Sequence, residues 1–130
     1  MISTKVCSRI AVGALAAGVV LAPTVAQAAA PSPYAEAAAA VNTNGTLAYG
    51  KDIVSVTRPS LGRYCITTGS DIDLSTAAVQ VTLRGTLNRT YAAWTTPRPE
   101  CDNRADTVTV AINTSNTVTA VDGAFFLTIP

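Results

Sequence analysis

The sequence predicts an all-β domain, a small two-sheet antiparallel β-sandwich held by one disulfide. Short β-branched runs alternate in polarity with period two, Gly, Pro, Asn and Asp separate them, and no amphipathic helical stretch follows residue 39. Strands with one apolar face must hide it against a second sheet or close into a barrel. At about a hundred residues a sandwich is the expected solution, with a small β-barrel as the alternative.

The amino terminus reads as an export signal. Lys5 and Arg9 precede an uncharged run of thirteen residues, Ile10–Ala22, and Pro23 ends it. That run is short of the ~20 residues a membrane-crossing helix needs, whereas a basic start, a short apolar stretch and small residues at the cut define a signal peptide. Ala26-Gln27-Ala28 supplies the small-x-small site, so residues 1–28 are read as signal peptide cleaved after Ala28. Residues 29–39 are rich in Ala and Pro and read as a flexible leader, and residues 40–130 as the single folded domain. The product is expected to be secreted and monomeric, with no membrane attachment after cleavage.

The elements follow in order. Asn44-Gly45 joins Ala40–Asn42 to Thr46–Tyr49 as a hairpin, because this dipeptide accepts the positive φ angles of tight turns. A second hairpin pairs Ile53–Thr57 with Arg63–Thr67 across residues 58–62. Alternation places Val54 and Val56 on one face with Ser55 and Thr57 opposite, and sets Tyr64 and Ile66 against Arg63, Cys65 and Thr67. Val79–Leu83 and Val108–Ile112 repeat the pattern, and Thr117–Ala120 and Ala124–Ile129 finish the chain, about seven or eight strands in all. Ser55, Thr57, Thr67, Gln80, Thr82 and Thr109 fall on the wet faces.

Composition and charge exclude several functions. The full chain carries a formal charge of +1; cleavage takes two of nine basic residues and none of eight acidic ones, leaving −1. A near-neutral domain with scattered arginines gives no basic stripe for nucleic acid or an anionic membrane. Histidine is absent, which removes the usual neutral-pH base and the commonest metal ligand, and with them Ser-His-Asp and Cys-His hydrolases. Paired carboxylates remain, but Asp52, Asp106 and Asp122 read as turn residues and Glu100 and Asp102 flank Cys101. No enzyme activity and no cofactor is expected. Asp71-x-Asp73-x-Ser75 has ligand-like spacing, yet Thr76 and Thr82 stand where a calcium loop needs Gly and Glu; both aspartates read as turn caps, and no metal site is expected.

Cys7 leaves with the signal peptide, so Cys65 and Cys101 should form one disulfide, as expected in an oxidising exterior. The best surface candidate is Tyr91–Pro99, where Tyr91, Trp94 and Arg98 form the expected binding set, since Trp, Tyr and Arg dominate binding hot spots. Trp94 packed over the disulfide is the structural alternative. Sequons at Asn44, Asn88 and Asn113 read as Asn- and Thr-rich turns.

Gly45-Thr46-Leu47-x-x-Gly50, Ile53-x-Ser55-Val56-x-Arg58, Gly62-x-Tyr64-x-Ile66 and Asp122-x-x-Phe125-x-Leu127 together resemble a small β-rich module common in exported actinobacterial proteins of uncharacterised function. The resemblance spans about residues 40–130 and rests on structural positions. It implies an extracellular module with no catalytic residues to carry over, suited to display or binding. The expected function is thus a non-catalytic module that binds a protein or a cell-envelope polymer. An inhibitor of an extracellular hydrolase, using the rigid segment Thr95–Glu100, is the alternative.

Overall fold

The computed structural model describes residues 34–85 and 88–130; the expected signal peptide, its cleavage after Ala28 and Cys7 lie outside them. Eight strands form two antiparallel four-stranded sheets: β1 (Ala37–Val41), β2 (Leu47–Lys51), β3 (Ile53–Ser60), β4 (Arg63–Thr68), β5 (Gln80–Leu83), β6 (Arg89–Trp94), β7 (Thr107–Thr114) and β8 (Phe125–Ile129). Sheet A has the order β2-β1-β8-β5 and sheet B the order β3-β4-β7-β6. The layers stay separate, so the fold is a sandwich and not a closed barrel.

Alternation builds the core. Ala37, Ala39, Val41, Val81, Phe125, Leu127 and Ile129 from sheet A meet Tyr64, Ile66, Val108, Val110 and Ile112 from sheet B, with Leu74 closing one side from the β4–β5 connection. Tyr64 and Phe125 pack edge to face with centroids 5.1 Å apart. The carboxyl-terminal strand is therefore core, with Phe125, Leu127 and Ile129 buried.

Polar groups close one end of this core. The Tyr64 hydroxyl donates to the Thr43 carbonyl at 2.8 Å and accepts from the Gly123 amide at 3.1 Å. Asp122 accepts from the Gly62 amide at 2.8 Å and from Arg58 at 2.5 Å. Three turns are thereby tied together: β1–β2, β3–β4 and the approach to β8. Gly62 has φ +66°, and a Cβ there would lie 2.5 Å from the Ile112 carbonyl oxygen, so the position requires glycine. Burial raises the Asp122 carboxyl, but the Gly62 amide and Arg58 outweigh it and hold it below the usual carboxylate range. Burial likewise pushes the Tyr64 phenol up.

Several expectations are corrected. The leader reading of 29–39 fails where it meets the fold: β1 begins at Ala37, all five of its residues are buried, and Ala35 is buried ahead of it. Alanine has little intrinsic strand preference. Here the strand lies between β2 and β8, and Ala40 shares its row with Tyr49 and Phe126, whose large side chains flank it on the outer face. Val54 does not share a face with Val56. The ladder pairs Ile53 with Thr68 and Ser55 with Thr67, leaving Val54 as the extra residue of a β-bulge, 69% exposed, while Ile53 and Val56 pack on the core.

The β3–β4 turn shrinks to Leu61-Gly62, because β3 runs on through Pro59, a residue tolerated on an edge strand. Thr117–Ala120 forms no strand. Thr114, Thr117 and Thr119 instead satisfy one another through their hydroxyls at 2.7 and 2.9 Å, and a single bridge joins Asn113 to Ala120. The Asn44-Gly45 turn forms as expected, with Gly45 at φ +84°.

Candidate functional site

The outer face of sheet B carries the site. Register sets its rows: Thr57, Cys65, Thr109 and Trp94 lie side by side from β3 to β6, and Ser55, Thr67 and Thr107 form the neighbouring row. After Trp94 the chain turns back over this face, makes one 3₁₀ turn at Pro99–Cys101, and is bonded through Cys101 to Cys65, 36 residues earlier. Pro99 opens the turn and Asp102 ends it at φ 59°, its amide donating to the Pro99 carbonyl.

The fold-back explains why part of the expected wet face is dry. Thr67 and Thr109 are buried, Thr109 donating to Cys101 Sγ at 3.2 Å and Thr67 paired with Thr107 at 3.1 Å. Their hydroxyls need partners once water is excluded, and the structure supplies them. Ser55, Gln80 and Thr82 remain exposed, as does Thr57.

The stapled turn divides the face into two flanks. On the β6 side the Arg98 guanidinium lies 4.5 Å over the Trp94 ring, and its Nε donates to Glu100 at 3.3 Å. Trp94 and Arg98 are half-buried, and Pro97 and Pro99 are exposed beside them. Trp94 thus stands in the row of the disulfide, separated from Cys65 by Thr109, with a cation–π contact above it. The carboxyl of Glu100 is lowered by its own backbone amide, against some burial, and further by Arg98.

On the β3 side a cleft of about 230 Å³ runs between the stapled turn and the edge strand, lined by Ser55, Thr57, Thr67, Glu100, Asp102 and Arg104 among others. Arg104 is paired with Asp106 through two hydrogen bonds of 2.9 and 2.6 Å. That pairing, chiefly the hydrogen bonds from Arg104, holds the Asp106 carboxyl below its usual range.

Of the expected binding set, the structure brings Trp94 and Arg98 together and separates Tyr91 from them. Tyr91 pairs with Ile112, an inward position, so it belongs to the opposite side of the edge strand and is 47% exposed there. An odd spacing of three residues on a strand puts Tyr91 and Trp94 on different faces, a signal already present had β6 been read as a strand. The hydroxyl cleft was missed because it depends on where the loop folds back.

Asp73 accepts from the Ser75 amide at 3.0 Å and the Ser75 hydroxyl at 2.6 Å, the capping role expected of it. Among the described residues no three acidic or cysteine side chains converge as a metal set does, and no helix is long and apolar enough to cross a membrane. Comparison with family models, with curated proteins and with solved structures returned no match.

Proposed function

We propose that this chain is an exported, non-catalytic binding module that presents the outer face of sheet B to a protein or a cell-surface polymer. The observation that carries the reading is the stapled loop. An arginine is held between a tryptophan of β6 and a glutamate of the 3₁₀ turn, beside two exposed prolines, and Cys101 anchors the turn to the sheet. Such a surface loses little conformational entropy on binding, and its residue types are those enriched at hot spots.

One alternative draws support from the same loop. Arg98 has an extended backbone, φ −128° and ψ 142°, between two exposed prolines, the shape a hydrolase-blocking loop would present. Its side chain, however, is engaged with Trp94 and Glu100 rather than projecting. Incubating the purified protein with a panel of extracellular proteases separates the readings, since saturable inhibition would favour the alternative.

The direct test is capture from the cell envelope and medium of the producing cell, comparing wild type with a Trp94→Ala, Arg98→Ala double variant whose fold is checked by circular dichroism. Loss of capture with the fold retained is the expected outcome. Equal capture by both would remove this loop from any binding role.

A further inference from the structure

We propose that the cleft on the β3 side of the stapled turn binds a neutral glycan through its hydroxyl groups. The inference rests on the reading of this face as a binding surface and adds the chemistry of what it takes. The cleft, about 230 Å³, offers hydroxyls from its edge-strand wall, Ser55 and Thr57, and a carboxylate from the turn above, Asp102; the carboxylate of Glu100, which also lines it, is bonded to Arg98. Among the described residues no side-chain hydrogen bond engages Ser55, Thr57 or Asp102, and Asp102 lies in the field of Arg104 without forming an ion pair with it. Their hydrogen-bonding capacity is directed at solvent or at a ligand.

The lining selects against other classes. Arg104 is already paired with Asp106 and Glu100 with Arg98, so the Asp102 carboxylate is the charge left over in the lining, and it repels a phosphate or sulfate group. An apolar peptide side chain would strip water from hydroxyls and carboxylates without replacing their hydrogen bonds. A sugar replaces them: its hydroxyls donate to the Asp102 carboxylate, and its oxygens accept from Ser55 and Thr57. The Cys65–Cys101 disulfide forms part of the cleft floor.

The site is held in shape before any ligand arrives. Thr67 and Thr107 bond each other beneath the cleft, Asp102 is fixed at the end of the 3₁₀ turn, and the turn is covalently attached to β4. A weak, multi-hydroxyl ligand gains most from such preorganisation.

The test titrates the purified protein with neutral hexasaccharides of glucose (α- and β-linked), xylose, mannose and N-acetylglucosamine, and with the corresponding monosaccharides, using a sulfated glycan as the anionic control. Amide chemical shifts locate binding. At least one neutral oligosaccharide should give saturable shifts centred on Ser55, Thr57 and Asp102. Thr57→Val and Asp102→Asn should each weaken it roughly tenfold or more, about 1.4 kcal/mol, with the melting temperature unchanged. Tyr91→Ala, on the opposite side of β6, should leave it within about threefold. No saturable shift at concentrations on the order of 10 mM, shifts centred elsewhere, tighter binding of the sulfated glycan, or indifference to both cleft variants would each overturn the proposal. Capture of a partner that depends on Trp94, with no sugar bound, would leave the binding reading standing and remove only the glycan.

Discussion

Tyr64 and Cys65 are neighbours on β4 that face opposite ways, and each ties the sheet to distant chain. Tyr64 points inward and joins three turns through hydrogen bonds at one end of the core. Cys65 points outward and holds a loop on the surface by a covalent bond. The inward tie depends on burial, which makes each unmatched polar group costly to leave. The outward tie needs no burial, so it can hold residues that must stay half in water, Trp94 and Arg98 among them. Structure that only has to be stable is fastened by packing; structure that has to be both rigid and accessible is fastened by a bond.

Breaking the outward tie should have the largest effect. Closing a loop of this length contributes about 3–4 kcal/mol on the chain-entropy account, so Cys65→Ala, Cys101→Ala should lose that amount in denaturant unfolding. Removing both sulfurs avoids confusing the loss with a new free thiol. A loss below about 1 kcal/mol would mean that the loop stays folded back without its bond.

The inward tie should cost less in total. Tyr64→Phe keeps the ring against Phe125 but leaves the Thr43 carbonyl and the Gly123 amide without their partner, a cost of about 1–3 kcal/mol. Thermal melts of the two variants rank the ties directly, and a Tyr64→Phe protein as stable as wild type would show that water enters and replaces the hydroxyl.

The smallest and most specific effect concerns acid. The Asp122 carboxyl is lowered in the fold relative to the unfolded chain, so the stability it contributes is fully present above the unfolded value near 4 and is lost as pH falls through the folded value. The melting temperature should therefore decline below about pH 4. Asp122→Asn should shallow that decline without abolishing it, since Asp106, Glu100 and Asp73 are lowered too. An identical slope in variant and wild type would place the acid sensitivity elsewhere.

The parts of the fold that were legible are those where one residue's chemistry decides its placement. Val108, Val110 and Ile112 alternate into the core, Asn44-Gly45 turns the first hairpin, and Cys65 pairs with Cys101. What escaped the sequence was decided by neighbours far along the chain. Ala37–Val41 becomes a central strand because β2 and β8 flank it, against its own propensity. Val54 is ejected by a bulge that alternation alone does not announce. Thr67 and Thr109 look like solvent-facing strand residues until a loop some thirty residues from one and adjacent to the other folds over them. The candidate site was half legible for the same reason: Trp94 and Arg98 are near in sequence, whereas Ser55 and Thr57 reach Asp102 only through the sandwich.

The place of β1 has a temporal meaning. Ala37 pairs with Ile129, and the whole of β1 lies against the whole of β8, so sheet A cannot be assembled until β8 joins β1 to β5. Pairing of such distant segments is slow because the intervening chain must first be closed into a loop. Sheet B, which needs nothing beyond β7, can pair first, and sheet A closes over it in a later step.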